Sequence, residues 1–175
     1  MNHISSANIT VSLVLLAFGC VPSNIAPATQ AAQLEGQQCL GSAAPQNEAR
    51  VLNDMTVLKV SPLYGHVHTS PNTYEARVNG ATIYVQPPQG VPPEQMAQIL
   101  QCHSVRELLG QIDQTQALND PFWLPNSWLD IDVKPELGNY AISISASSVH
   151  NGLEVLARAN SYGAARMATN DVSVR

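Results

Sequence analysis

The sequence predicts an α+β fold, one antiparallel four-stranded sheet with two helices on one face. Three observations predict it. Residues 55–60, 81–86, 128–134 and 140–145 are short, β-rich and largely alternating. Residues 93–109 and 149–163 repeat apolar side chains at helical spacing. Their order is ββαββα, and two hairpins with two one-sided helices share a core most simply when both helices lie on the same side. With the first strand in the place of a last one, the arrangement is a permuted ferredoxin-like sandwich.

The elements follow in order. Residues 54–60 form a strand stopped by Pro62, and a polar loop covers 64–73. Asn79-Gly80 is a turn signal, so 76–78 either pair back on 81–86 or lead into it. Pro92 and Pro93 open the first helix, with Glu94 at the positive end of its dipole. Its buried stripe is Met96, Ile99, Leu100, His103, Leu108, Leu109 and Ile112. An irregular apolar stretch over 113–127 leads to the strand 128–134. There Leu129, Ile131 and Val133 face one way, and Trp128, Asp130, Asp132 and Lys134 the other. A turn at 135–139 returns the chain along 139–146. Ser147 or Ser148 caps a last helix whose apolar set is Val149, Leu153, Val155, Leu156 and Ala159. The expected core includes Ile99, Leu100, Leu129, Ile131, Leu153 and Leu156, with Asp130 and Asp132 in water.

The N-terminus speaks of destination. Residues 9–20 are apolar and uncharged and end at Cys20. They are shorter than the roughly 20 residues of a spanning helix and fit the core and cleavage zone of an export signal. Gly19-Cys20 resembles the lipobox of bacterial lipoproteins, although Ala17 stands where Leu is usual, Phe18 where a small residue is usual, and residues 1–19 lack Lys and Arg. The resemblance implies that Cys20 is acylated (palmitate among its acyl chains) and becomes the mature N-terminus. Val21 in place of Asp implies outer-membrane sorting, facing the periplasm or the surface. Ala17-Phe18-Gly19 and Ala26-Pro27-Ala28 also satisfy ordinary signal cleavage, which leads instead to a soluble exported protein. A short buried helix that happens to precede a Cys is the third reading. The division expected is a signal over 1–19, a lipidated Cys and flexible tether over 20–50, one α+β domain over 51–167 and a disordered tail over 168–175. The tether is Ala-, Gln- and Pro-rich with no aromatic residue, too little apolar surface to offset ordering; a short helix over Ala31 to Gln38 is the alternative, with little to pack against.

Net charge of -5, with only 8 Lys and Arg and no basic run, excludes a nucleic-acid partner class and any electrostatic reason to lie on anionic lipid. The partners expected are the membrane, through the N-terminal lipid, and an envelope protein.

Chemistry-bearing residues are few. His66 and His68 point to one side of an extended segment, and Cys102-His103 sit together on a helix. Together they form a ligand set suited to Cu or Zn; a buried thiol and a satisfied core histidine explain the helical pair equally well. With Cys20 acylated, Cys39 and Cys102 remain as an even pair in an oxidising compartment, bridged or separate. Adjacent Cys102 and His103 diverge by about 100° and make no dyad. There is no Gly-x-Ser-x-Gly elbow, phosphate loop, dinucleotide fingerprint or zinc-protease motif. The reading is a non-enzymatic binding domain, with a periplasmic Cu/Zn-binding protein as alternative, and no cofactor other than such a metal ion. Phe122, Trp123, Leu124 and Trp128 are the candidate partner patch, or else a lid over the core. Residues 55–162 also resemble uncharacterised exported bacterial domains with a β-rich start, a helix bearing Cys-His, and a final hairpin and helix; no activity comes with that likeness.

Overall fold

The computed structural model describes residues 26–39, 44–70, 73–111 and 119–172. The signal segment and Cys20 lie outside them. The fold is α+β. Two N-terminal helices, α1 (Pro27–Gln38) and α2 (Pro45–Asp54), precede β1 (Thr56–Ser70) and β2 (Thr73–Gln86). Then come α3 (Pro93–Leu108), β3 (Leu129–Glu136), β4 (Asn139–Ala146) and α4 (Val149–Val172). The strands form one antiparallel sheet in the order β1-β2-β4-β3. No helix among the described residues is long and apolar enough to cross a membrane.

Register sorts the two sheet faces. Leu129, Ile131 and Val133 stand opposite Ala146, Ile144 and Ile142, which stand beside Ala81 and Ile83, and Ile83 pairs with Val60. This face carries the core, closed by Met96, Ile99 and Leu100 from α3 and Val155 and Ala159 from α4. The other face holds Asp130, Asp132 and Lys134 in water, with Asp132 and Lys134 3.0 Å apart. An antiparallel sheet tolerates one wet face.

Four expectations are corrected. First, β1 does not stop at Pro62 but runs through it, and Asn79-Gly80 is mid-strand rather than a turn. Pro62 is tolerated because β1 is an edge strand. Gly80 is there for close approach, since a Cβ would lie 1.8 Å from the Ile144 carbonyl oxygen of β4. Second, Leu153 is 51% exposed, and α4 faces the sheet with smaller residues. A Cβ on Gly152 would lie 2.4 Å from the Asn79 carbonyl carbon, and one on Gly163 2.9 Å from Val60, so the helix sits close against β1 and β2. Third, the C-terminal stretch read as a tail from 168 continues the helix to Val172.

The fourth correction matters most for function. The segment read as a tether over 20–50 is helical over Pro27–Gln38 and again from Pro45, and both helices pack on α3. Pro27 and Pro45 each open a helix in the first turn, where a missing N–H costs nothing. Three ties hold them. Cys39 is disulfide-bonded to Cys102 of α3, Cα to Cα 5.4 Å; Gln98 donates to the Gln38 carbonyl at 2.6 Å; and α2 contributes Glu48 to a buried ionic cluster. The folded unit therefore includes α1 and α2.

Candidate functional site

The site grows from α3. Met96, Ile99, Leu100 and Val105 point into the core, and Gln101 clasps the open edge of β3, donating to the Leu129 carbonyl at 3.1 Å and accepting from the Ile131 N–H at 3.2 Å. That leaves the last turns of α3, carrying His103, Arg106 and Glu107, to be covered by α2 and by the irregular segment 119–128. All three side chains are buried, at 5%, 7% and 3% exposure.

Burying so much charge requires compensation. Glu48 of α2 supplies it twice, with Oε1 2.6 Å from His103 Nδ1 and Oε2 accepting from Arg106. Arg106 also donates to the Cys39 carbonyl at 2.9 Å. On the opposite side of the imidazole, Asp120 Oδ2 lies 2.5 Å from Nε2, and Asp120 Oδ1 accepts the Phe122 N–H at 2.8 Å. Burial alone would push the His103 pKa down. The hydrogen bonds and charges of Asp120 and Glu48 outweigh it and hold the imidazolium to about 10. With both ring nitrogens donating to carboxylates and no metal bound, His103 near neutral pH is an imidazolium.

A cleft of about 230 Å³ opens over this cluster, lined by His103, Glu107 and Asp120 with Leu52, Tyr162 and Arg166 around them. Tyr162 packs edge-on to Phe122, which packs edge-on to His103. Its hydroxyl is buried without a hydrogen-bond partner among the described residues, and burial pushes its pKa up to about 12. Arg166 stacks over the Tyr162 ring at 4.9 Å and donates to the Asn53 carbonyl at 3.2 Å. One ligand atom each from His103, Glu107 and Asp120 falls within 4.8 Å of the others, close enough to hold a metal ion. A larger cleft of about 360 Å³ on the far side of Glu107 is lined by Ala26, Pro27, Trp123 and Asn126, among others, and contains no second titratable group.

The ligand set expected from sequence does not assemble. His66 is exposed in β1 opposite Ala76, the side chain of His68 is outside the described ones, and Cys102 is spent in the disulfide. Of that set, His103 alone among the described side chains belongs to the cluster. Phe122, Trp123 and Leu124 are no surface patch either, being 0%, 8% and 2% exposed. The segment is fastened beneath α4, where Arg158 donates to the Trp123 carbonyl at 3.0 Å and lies over its ring. Trp128 is half-buried, its indole donating to Asp130 at 3.0 Å.

Sequence reasoning missed Glu48, Arg106, Glu107, Asp120 and Tyr162. One signal was present: Arg106 and Glu107 follow His103 by three and four positions, the spacing that shares a helix face. Glu48 carried none, since it stood in the segment read as a tether. No family model matches the chain, and neither a curated protein nor a solved structure resembling it was found.

Proposed function

We propose that the chain is a lipoprotein of a bacterial envelope, anchored through acylated Cys20, whose domain works by binding in the His103 cleft and not by catalysis. The observation that carries the reading is the convergence of buried ionic groups from α2, α3 and segment 119–128 on one open cleft. Charged side chains are seldom buried unless paired; these are buried and paired, and they also form the floor of a recess. The non-catalytic half of the reading is supported by chemistry. His103 has both ring nitrogens engaged, and Cys39 and Cys102 are bonded to each other, so the strongest base and thiol candidates are already committed.

The order β1-β2-β4-β3 supports a permuted ferredoxin-like arrangement, with α1 and α2 added beside α3. Because α1 begins at Pro27, only the residues between Cys20 and that helix separate lipid from domain. At about 3.5 Å per residue they reach at most about 20 Å, so the domain works close to the membrane surface.

Two measurements test this reading. Cys20→Ser is expected to abolish acyl labelling and move the protein from membrane pellet to soluble fraction; unchanged partitioning would contradict the anchor. A photoreactive side chain at Asn119, on the cleft lining, is expected to capture an envelope component that one at exposed Lys134 does not. Equal capture at both would contradict the cleft as the binding site.

A further inference from the structure

We infer that the His103 cleft is a site for a single divalent first-row metal ion, Zn²⁺ fitting best, held by His103 Nε2, Asp120 and Glu107. The inference rests on the reading of this cleft as a binding site and names its ligand.

Four observations carry it. The three ligand atoms already lie within 4.8 Å of one another. A tetrahedral ion with bonds of about 2.0–2.1 Å holds its ligands roughly 3.3 Å apart, so Asp120 Oδ2, at 2.5 Å from Nε2, draws back as the ion enters, and shifts of about an ångström complete the set. The second observation is the far side of the imidazole. Glu48 at 2.6 Å from Nδ1 fixes the ring and its tautomer, the carboxylate–histidine arrangement that orients metal-bound histidines, and Glu48 is itself held by Arg106.

The third is charge. With the imidazole neutral, Glu48 and Asp120 against Arg106 leave a net negative charge in a buried place, which a divalent ion offsets. The ion enters as the Nε2 proton leaves to solvent; no electron moves and no co-reactant is needed. Arg166, also on the lining, donates to the Asn53 carbonyl and lies over the Tyr162 ring. The fourth is the Tyr162 hydroxyl, buried in the same lining without a partner among the described residues. A water in the ion's open position would give it one.

An oxygen-rich set with one imidazole and no thiolate suits Zn²⁺ over Cu⁺, which prefers sulfur. The site shares only His103 with the set His66, His68, Cys102 and His103 expected from sequence.

The test is a titration of the full chain, purified in detergent and stripped with chelator, using CoCl₂ as the spectroscopic probe and ZnCl₂ as competitor. Expected are one Co²⁺ per chain with visible d–d absorption, displaced by Zn²⁺. Paramagnetic shifts should be centred on the Phe122 and Tyr162 ring signals. His103→Ala and Glu107→Gln are expected to weaken binding roughly tenfold or more, while His66→Ala and the Asp130→Asn, Asp132→Asn pair leave it unchanged. Since His103→Ala also disturbs the buried cluster, the shifts in the unmutated chain decide independently of any variant. No stoichiometric binding, or shifts centred on His66 or on Asp130 and Asp132, would overturn the inference. Loss of metal binding together with retained capture at Asn119 removes the ion and leaves the binding reading; stoichiometric Co²⁺ at this position without such capture upholds the ion as the ligand.

Discussion

Glu48→Ala is expected to destabilise the domain by about 3–5 kcal/mol, because it strands two buried cations at once. Glu48 is 5% exposed and is the partner that α2 offers to both His103 and Arg106. Without it, Arg106 keeps the Cys39 carbonyl and His103 keeps Asp120, but a buried guanidinium and a buried imidazolium lose the charge between them. Urea unfolding of the full chain measures the cost, and a loss under about 1 kcal/mol would place the cluster with exposed pairs. The pH dependence gives a second readout. His103 is raised from 6.5 to about 10 in the folded state. Its proton therefore stabilises fully below pH 6.5, and that stability is lost as pH rises through about 10. Glu48→Ala removes one of the two carboxylates that raise the pKa, so the fall in stability across this alkaline window becomes shallower than in the unmutated chain.

Removing the Cys39–Cys102 bridge by a double Cys→Ala change is expected to cost about 4 kcal/mol. The bridge closes a loop with a sequence separation of 63, and the chain-entropy relation gives that magnitude for a loop of this size. The loss should be concentrated at one place. α1 is tied to α3 by the bridge, by Gln98 and, at the Cys39 carbonyl, by Arg106, and its own core is small, with Ala31 buried and Leu34 partly buried. Hydrogen exchange should accordingly speed up across α1 while β2 and β4, buried in the centre of the sheet, stay protected. Uniform acceleration over the whole chain would mean that α1 and the sheet unfold as one unit.

Much of the sheet and of α3 was legible because their signals are local. Alternation in Leu129–Val133 and the stripe through Met96, Ile99 and Leu100 each settle a buried face without reference to the rest of the chain. What failed was non-local. Pro62 and Asn79-Gly80 carry strong turn chemistry, and only the neighbouring strands explain why they lie mid-strand. Leu153 fits the stripe of α4, yet the helix buries its glycine side, where small residues allow close approach. The N-terminal helices lost to a flexible tether for the same reason: a helix over 31–38 shows in the sequence without a packing partner, and the covalent link and charge cluster that tie the two helices to α3 do not register in composition. The site suffered most. One of its members, His103, was identified, while its partners at 48 and 120 lie far away in sequence and become neighbours only when α2 and segment 119–128 close over α3.

The central claim is that α2 and segment 119–128 meet on a protonated His103 that floors the cleft. Nitrogen-15 NMR of the His103 ring in the chelator-stripped full chain tests it most directly. The structure predicts two protonated ring nitrogens at neutral pH and no titration until about pH 10. A ring with one bare nitrogen at neutral pH, titrating near 6.5, would contradict it.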